Sequence, residues 1–560
     1  MENYSKDVTT IHNELELDEK SNVAAVKEIS GNEAYNEALL KEPPRPFSGP
    51  SIVLYCCCLV GFCCSTMNGY DGSLLNGLLA SDDFKAFFGG REDGIWAGIV
   101  TAMYQIGSVV ALPFVGPAID SFGRKGGMLI GALLIVVGTI INATTYYTAS
   151  IGQFEAGRFV LGFGVSIATA AGPMFVVEVT HPAYRGVVTA LYNTFWFTGS
   201  ILAAGAVRGS LDSSAAHAWV IPVWLQLLFS GIIVLFVWFL PESPRWLYVH
   251  GKRDECRRVL AKYHGNGNAE SIWVTMQLRE YEEYLELDGS DKRWWDYSAL
   301  FKTAASRYRM TCNIAISVFG QWAGNAVLSY YMASLLSSAG YDTQISKANI
   351  NLFYSCEQFL IAVCGAMFVD KIGRRPLLLF SMIGCSVVWV GMTVATSVYD
   401  AHKVLDGDGN ALPATGVAAS ASKAATAMIF LFGAVFSFGI TPLQALYPVE
   451  VLSFEMRAKG MAFSSFSLNA AMLLNQFAWP VSMERIGWHT YIIFVVWDAV
   501  QAALIYFFIP ETKNRTLEEL DDIFHAKNPT KASLQKRTVA LDKHSNVVKV
   551  VVKHGDGDSA

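Results

Sequence analysis

Two ionisable residues interrupt long apolar stretches of this 560-residue chain: Asp71, in Asn68-Gly69-Tyr70-Asp71-Gly72, and Arg158, in Gly157-Arg158-Phe159. A charge at membrane depth is costly, so it faces a partner or a wet cavity and marks an ion or substrate path. An acid and a base on two different apolar stretches can act as a proton switch. An ordinary aspartate is ionised at neutral pH, but a guanidinium that approaches in one state and leaves in another makes the proton affinity alternate with conformation. Such chemistry implies coupled transport. A static buried ion pair joining two helices accounts for the same two residues. Glu155 lies one helical turn before Arg158 and shares its face; it either tunes the guanidinium or is a capping or vestibule residue. Asp498 and Glu357 also fall in apolar stretches, where each lines a wet cavity or is paired within the protein.

The elements that must hold these groups are set by composition. The chain is 52% hydrophobic and only 16% charged, whereas a soluble protein carries about a quarter charged residues. Twelve apolar runs lie at roughly 51–79, 94–118, 126–147, 152–177, 187–208, 219–240, 311–336, 347–369, 376–399, 424–447, 458–483 and 488–509. Each is near the roughly 20 residues that one crossing needs, and in lipid an apolar run satisfies its backbone only as a helix. An all-α membrane protein follows, with five regions: a polar tail without regular structure (1–50), six spans (51–240), a charged connecting segment (241–310), six more spans (311–509) and a second tail (510–560). The connecting segment is a plain linker or a set of surface helices latching the two halves, with Trp294-Trp295 at the return to the interface.

Basic residues in short loops set orientation. Arg124, Lys125, Arg185, Lys371, Arg374, Arg375, Arg457 and Lys459 all fall on one side, which is expected to be cytoplasmic, with both termini there. Asn142-Ala143-Thr144 then lies in an outer loop as a glycosylation acceptor pattern. The cluster Cys56 to Cys64 has no histidine or carboxylate to complete a metal set, so no metal and no cofactor is expected beyond a proton as coupling ion. The cysteines fall in spans or in a basic loop, which argues against a disulfide framework. His181, His217, His250, His264 and His489 are scattered without nucleophile or metal spacing, so no enzyme is indicated. The net charge of −6 suggests no nucleic-acid partner; the expected partners are membrane lipid and a solute.

The two halves repeat a pattern. Asp120-Ser121-Phe122-Gly123-Arg124-Lys125 follows span two and Asp370-Lys371-Ile372-Gly373-Arg374-Arg375 follows span eight. Glu178 and Arg185 after span four match Glu450 and Arg457 after span ten; Pro241-Glu242-Ser243 after span six matches Pro510-Glu511-Thr512 after span twelve. Parallel six-helix halves with a midplane site between them are the architecture of rocking transporters. Asp120, Arg124, Glu178, Arg185, Asp370, Arg374, Glu450 and Arg457 are the candidate gate: exposed pairs contribute roughly 0–1 kcal/mol each, but a network can bias one open state against the other.

Together with Gly69-Tyr70-Asp71, Gly157-Arg158-Phe159, Pro241-Glu242-Ser243-Pro244-Arg245-Trp246 and Pro510-Glu511-Thr512-Lys513, these motifs resemble the sugar porters of the major facilitator superfamily over about 51–525. Within it, Asn68 to Ser73, Phe319 to Asn325, Thr441-Pro442-Leu443-Gln444 and Asn528 to Leu534 are similar to fungal lactose and cellodextrin permeases. The resemblance implies the major facilitator fold, alternating access across the plasma membrane, a proton-coupled sugar and a monomer. It matches Asp71 to proton-coupled members, Gln321 to the second glutamine of a Gln-Gln motif and Asn193 to a span-five amide.

A sugar presents hydroxyls on its edges, which amides suit because they donate and accept, and C–H faces that aromatic rings cover. Gln321 and Asn325, four apart, point to one side of a continuous helix, with Tyr330 further up. With Asn193 they are expected to contact ligand. Asn68, Gln444, Asn469 and Asn475 either do the same or bond between helices, at about 0.6 kcal/mol each. The departures from the family are Ser121 for a basic residue, Val220 for an arginine, Gly320 for the first glutamine, Ala326 for the usual asparagine (with Asn325 one position early), and Ala445 for a tryptophan over the sugar. Losing Gln and Trp side chains enlarges the cavity, which points to a β-linked disaccharide such as lactose or cellobiose. The alternatives are a hexose, pentose or polyol transporter, and a non-transporting sugar sensor.

Overall fold

Among the described residues, nine stretches of helix are long and apolar enough to cross a membrane. Two of them, Ile95–Thr148 and Phe463–Phe508, run 54 and 46 residues, about twice one crossing, so each holds two passes. The first reverses at Gly123 and the second at the short turn Gly487–His489. Span seven is not among the nine: it is broken into Ala304–Trp322, Asn325–Tyr330 and Met332–Ser338, and its longest piece begins with the polar run Ser306-Arg307-Tyr308-Arg309. Nine stretches, two second passes and span seven make the twelve expected spans. This computed structural model describes residues 23–26, 38, 41–90, 94–213, 217–288, 298–341, 343–404, 415–453, 457–513, 515, 517–534, 536–542 and 547–553.

Each half has its own apolar interior. One cluster of buried side chains runs from Leu54 to Tyr263 and another from Ala305 to Phe524. Rows such as Phe380, Val387 and Val394 on span nine are left facing outward, as lipid-facing residues must be. Span one (Gly49–Ala80) starts at Ser48, whose hydroxyl accepts from the Ser51 amide, and has Pro50 in its first turn. Its approach to span five (Arg185–Ser210) is backbone to backbone. Gly69 lies against the Trp196 carbonyl and Gly199 against the Thr66 carbonyl, the close small-residue contact by which helices associate in lipid.

The connecting segment is helical at Pro244–Val249, Arg253–Tyr263 and Ile272–Asp288. Leu247, Cys256, Leu260 and Val274 close a small core among these helices. They hold to the first half: His264 bonds to the Val179 carbonyl at the end of span four, 2.9 Å away. At the segment's far end Leu300 packs on Met310 and Leu452 of the second half. Trp294-Trp295 lies outside the described residues. The first tail docks on this region, where Trp273 Nε1 donates to the Glu42 carbonyl at 2.8 Å and Ser271 bonds the Glu42 carboxylate.

Three expectations are corrected here. The tails are not without structure: Val23–Val26, Lys536–Asp542 and Val547–Lys553 pair as an antiparallel sheet. The valine-rich run 547–552 explains the last strand, since β-branched residues suit a pleated surface. Asn142 is no glycosylation acceptor. Span three continues to Thr148, so Asn142 lies inside the helix, 1% exposed, with its amide against Gly157 of span four. Gln321 and Asn325 do not share a face of one helix, because Gly324, at φ 99°, ends the first piece of span seven between them. All ten cysteines are free thiols.

Candidate functional site

Asp71 and Arg158 are brought together, but not as a simple ion pair. Asp71 is 0% exposed and Arg158 3%. The guanidinium donates from Nη1 to the backbone carbonyl of Asp71 at 3.2 Å and lies 4.8 Å above the Tyr104 ring. The carboxylate is held by a residue that motif reasoning missed: Gln226 on span six donates from Nε2 to Oδ1 at 2.8 Å. The other oxygen, Oδ2, has no hydrogen-bond partner among the described residues, and neither has Gln226 Oε1. An amide in this place serves both protonation states, because its N–H donates to a carboxylate and its C=O accepts from a carboxylic acid. The signal for Gln226 was available, since it interrupts the apolar run Trp224-Leu225-Gln226-Leu227-Leu228. Glu155 is half-buried one turn away from Arg158.

Among the amides, two kinds separate. Asn475 is 1% exposed; it donates to the Gln321 carbonyl at 3.0 Å and accepts from Trp479 at 2.8 Å. Asn469 accepts from Gln105 across the halves at 2.5 Å. Asn68 accepts from the Tyr104 hydroxyl at 3.0 Å. Of the two readings left open for these three, the structure shows the bond between helices: each has an interhelical partner that a single apolar span cannot reveal. Asn193 and Gln321 are half-buried. Asn325 opens the second piece of span seven and accepts from Ser329 at 3.3 Å. The side chain of Tyr330 lies outside the described residues.

Gln444 resolves the departure at Gly320. A methyl group on Gly320 would sit 2.7 Å from Gln444 Nε2, so the amide from span ten occupies the space that the absent glutamine on span seven leaves. That Nε2 is buried and has no hydrogen-bond partner among the described residues. The expected enlargement of the cavity at this position is therefore corrected: Gln444 refills it with a donor from another helix.

At the basic end of the membrane domain the repeat becomes geometry. Arg124 grips Glu178 with Nε and Nη2 at 2.8 and 3.0 Å, Asp120 stands 3.5 Å from Arg124, and the Ser243 hydroxyl donates to Glu178. In the second half Arg374 grips Glu450 at 2.6 and 3.0 Å and Thr512 donates to Glu450 at 2.5 Å. Glu242 accepts from the Arg124 amide at 3.1 Å, and Glu511 from the Arg374 amide at 2.9 Å. Each network lies within one half. The ion pairs among Asp120, Arg124 and Glu178, and between Arg374 and Glu450, are formed, and among the described residues they join spans two, three, four and six, and their counterparts, within each half. Arg185 lies near the buried His181 and His264 and acts on both electrostatically. The side chains of Asp370 and Arg457 lie outside the described residues.

Bonds between the halves gather toward the opposite end. Asn76 joins Asn351 at 3.2 Å and the Met332 amide at 3.1 Å. Thr101 meets Tyr331 at 2.7 Å, Ser200 meets Ser355 at 3.1 Å, and Arg208 reaches Asn349 at 2.8 Å. Gln344 also bonds Asp82. Among the described residues, most bonds between the halves thus lie at this end, while the ion-pair networks at the other end stay within one half each.

The family described as "Sugar (and other) transporter" matches residues 57–524. A high-affinity glucose transporter of Kluyveromyces lactis is 28% identical over 493 residues, covering 84% of this chain and 84% of that protein. High-affinity glucose transporter 1 of Candida albicans is 28% identical over 477 residues, covering 83% and 84%. The proton:xylose symporter XylE of E. coli, bound to 6-bromo-6-deoxy-D-glucose, shares the fold with a TM-score of 0.67 at 19% identity, covering 85% of this chain and 100% of that one.

Proposed function

Because this chain belongs to the sugar transporter family, matched over residues 57–524, we propose that it carries a monosaccharide across the plasma membrane by alternating access, driven by a proton on Asp71. The observation that carries the reading is the Asp71 centre: a fully buried carboxylate with an amide on one oxygen, none on the other, and a guanidinium bonded to its own backbone. A small rotation of span four against span one moves that guanidinium from the carbonyl toward the carboxylate, which releases the proton; the reverse restores it. No cofactor is needed beyond the proton. The basic end faces the cytoplasm with both tails, so the bonds between the halves form a clamp that closes the outside and the path opens inward. One chain holds both halves of the path, which supports a monomer.

A hexose-sized cargo is supported by Gln444, which fills the space beside Gly320, and by the glucose transporters among the relatives. Gln321, Asn193 and Asn325 supply further hydroxyl partners. A disaccharide is the second reading, favoured by Ala445 where a ring would cover the sugar. Uptake of labelled glucose, xylose, lactose and cellobiose in a transport-deficient cell, with and without a proton uncoupler, separates the two. Glucose accumulation that collapses with the uncoupler is expected, with the disaccharides at background. Uptake blind to the uncoupler sinks the coupling, and preference for lactose or cellobiose sinks the monosaccharide.

A further inference from the structure

Away from the transport path, one cavity at the basic end has no role in that cycle. It holds about 640 Å³, within the usual range of ligand pockets. Pro50, in the first turn of span one, lines it on the membrane side. The helix Arg253–Tyr263 supplies Asp254, Arg257, Arg258 and Lys262, and the following loop supplies Asn266. That helix has already used its apolar face, since Cys256 and Leu260 are buried among the connecting helices. The opposite face is a concave surface at the level where span one enters the membrane, and it carries three cations against one carboxylate.

Those cations are weakly engaged. Arg257 reaches the exposed Glu270 at 3.5 Å. Arg258 donates from Nε to the Asp254 backbone carbonyl at 3.4 Å. Lys262 is exposed, its ammonium 5.0 Å over the Tyr263 ring. Guanidinium forks and an ammonium point charge are the groups that bind phosphate oxygens. A basic site placed at the bilayer surface meets phosphate on lipid before it meets it elsewhere.

We propose that this cavity binds the phosphorylated headgroup of an anionic lipid of the inner leaflet. It rests on the orientation given above for the ligand's leaflet alone. The test uses the full chain in nanodiscs of phosphatidylcholine with and without a few per cent phosphatidylinositol bisphosphate, with lipid retention read by native mass spectrometry. Soluble inositol trisphosphate is the second arm. Retention of the phosphoinositide over phosphatidylcholine is expected. Arg258→Gln with Lys262→Gln lowers it about thirtyfold, on the order of fivefold per basic group, and Asp254→Asn raises it about fivefold. Glucose uptake in phosphatidylcholine liposomes stays unchanged in these variants. Equal retention by the double variant overturns the site, as does binding of inositol trisphosphate as tight as that of the lipid, which assigns a soluble ligand. Both faces of a nanodisc are accessible and binding is read without transport, so its failure and that of the transport reading are separate results.

Discussion

In the proposed coupling Asp71 takes up and gives off the proton, and its surroundings make its replacement informative. Asn keeps the size and the bond to Gln226 but cannot take or release a proton. Asp71→Asn is expected to lower the accumulation ratio to about one while sugar exchange across the membrane persists; uphill accumulation by this variant in proteoliposomes refutes the assignment. Gly320 and Gln444 give the matching test for the proposed cargo site. Gly320→Ala places a methyl group 2.7 Å from the Gln444 amide and pushes that donor out of position. Loss of one hydrogen bond of about 1.5 kcal/mol is on the order of a tenfold rise in KM. Adding Gln444→Ala to Gly320→Ala should cost little more than either change alone, because neighbouring residues couple; full additivity in the cycle counts against the contact.

At the scale of elements, the two loops after spans two and eight are built alike for the same steric reason. Gly123 has φ 82° and Gly373 φ 105°, a region that disfavours side chains. Each also gives a glutamate room, since an added methyl group would come within 2.5 Å of Glu242 or 2.8 Å of Glu511. Gly123→Ala is expected to cost ~2 kcal/mol, read as a lower melting temperature of the purified protein, and a melt unchanged by the substitution defeats the account. The connecting helices predict a pH dependence. Burial is the main cause holding His181 down to about 3 and His264 down to about 4, with Arg185 adding to both. His264 Nε2 faces the Val179 carbonyl and so carries the proton, which leaves Nδ1 to accept from Gln277. The folded protein keeps both rings neutral where the unfolded chain, near 6.5, already binds protons. Stability therefore falls as pH drops below about 6.5. The melting temperature should decline between pH 7 and 5, and His264→Gln should flatten that slope; an unchanged slope counts against it.

At the scale of the whole molecule, the halves are rigid bundles that meet through polar contacts at one end. Ser200 and Ser355 touch across that seam at 3.1 Å, where a large ring has no space. Ser200→Trp should hold that end apart, reducing transport below about a tenth while sugar still binds from the side that end faces, which is the outside in the proposed orientation. Wild-type transport by this variant, measured with equal surface expression, argues against the clamp.

What the sequence determined by itself is what lipid and local chain stiffness act on directly. Run length and missing charge made twelve helices inevitable, because hydrocarbon leaves the backbone no other partner. The doubled Asp-x-x-Gly-Arg, Glu and Pro-Glu motifs marked the two braced ends, and the acid and base in spans one and four marked the centre. Tertiary structure alone decided which amides are spent. Asn475 turns to span seven, Asn469 to Gln105 and Asn142 to Gly157, while Gln444 enters the space at Gly320 from more than a hundred positions away. A polar side chain in an apolar span must face something other than lipid, but only the packing of the other helices says whether that is a neighbour or a cavity, and nothing in the span's own residues encodes it.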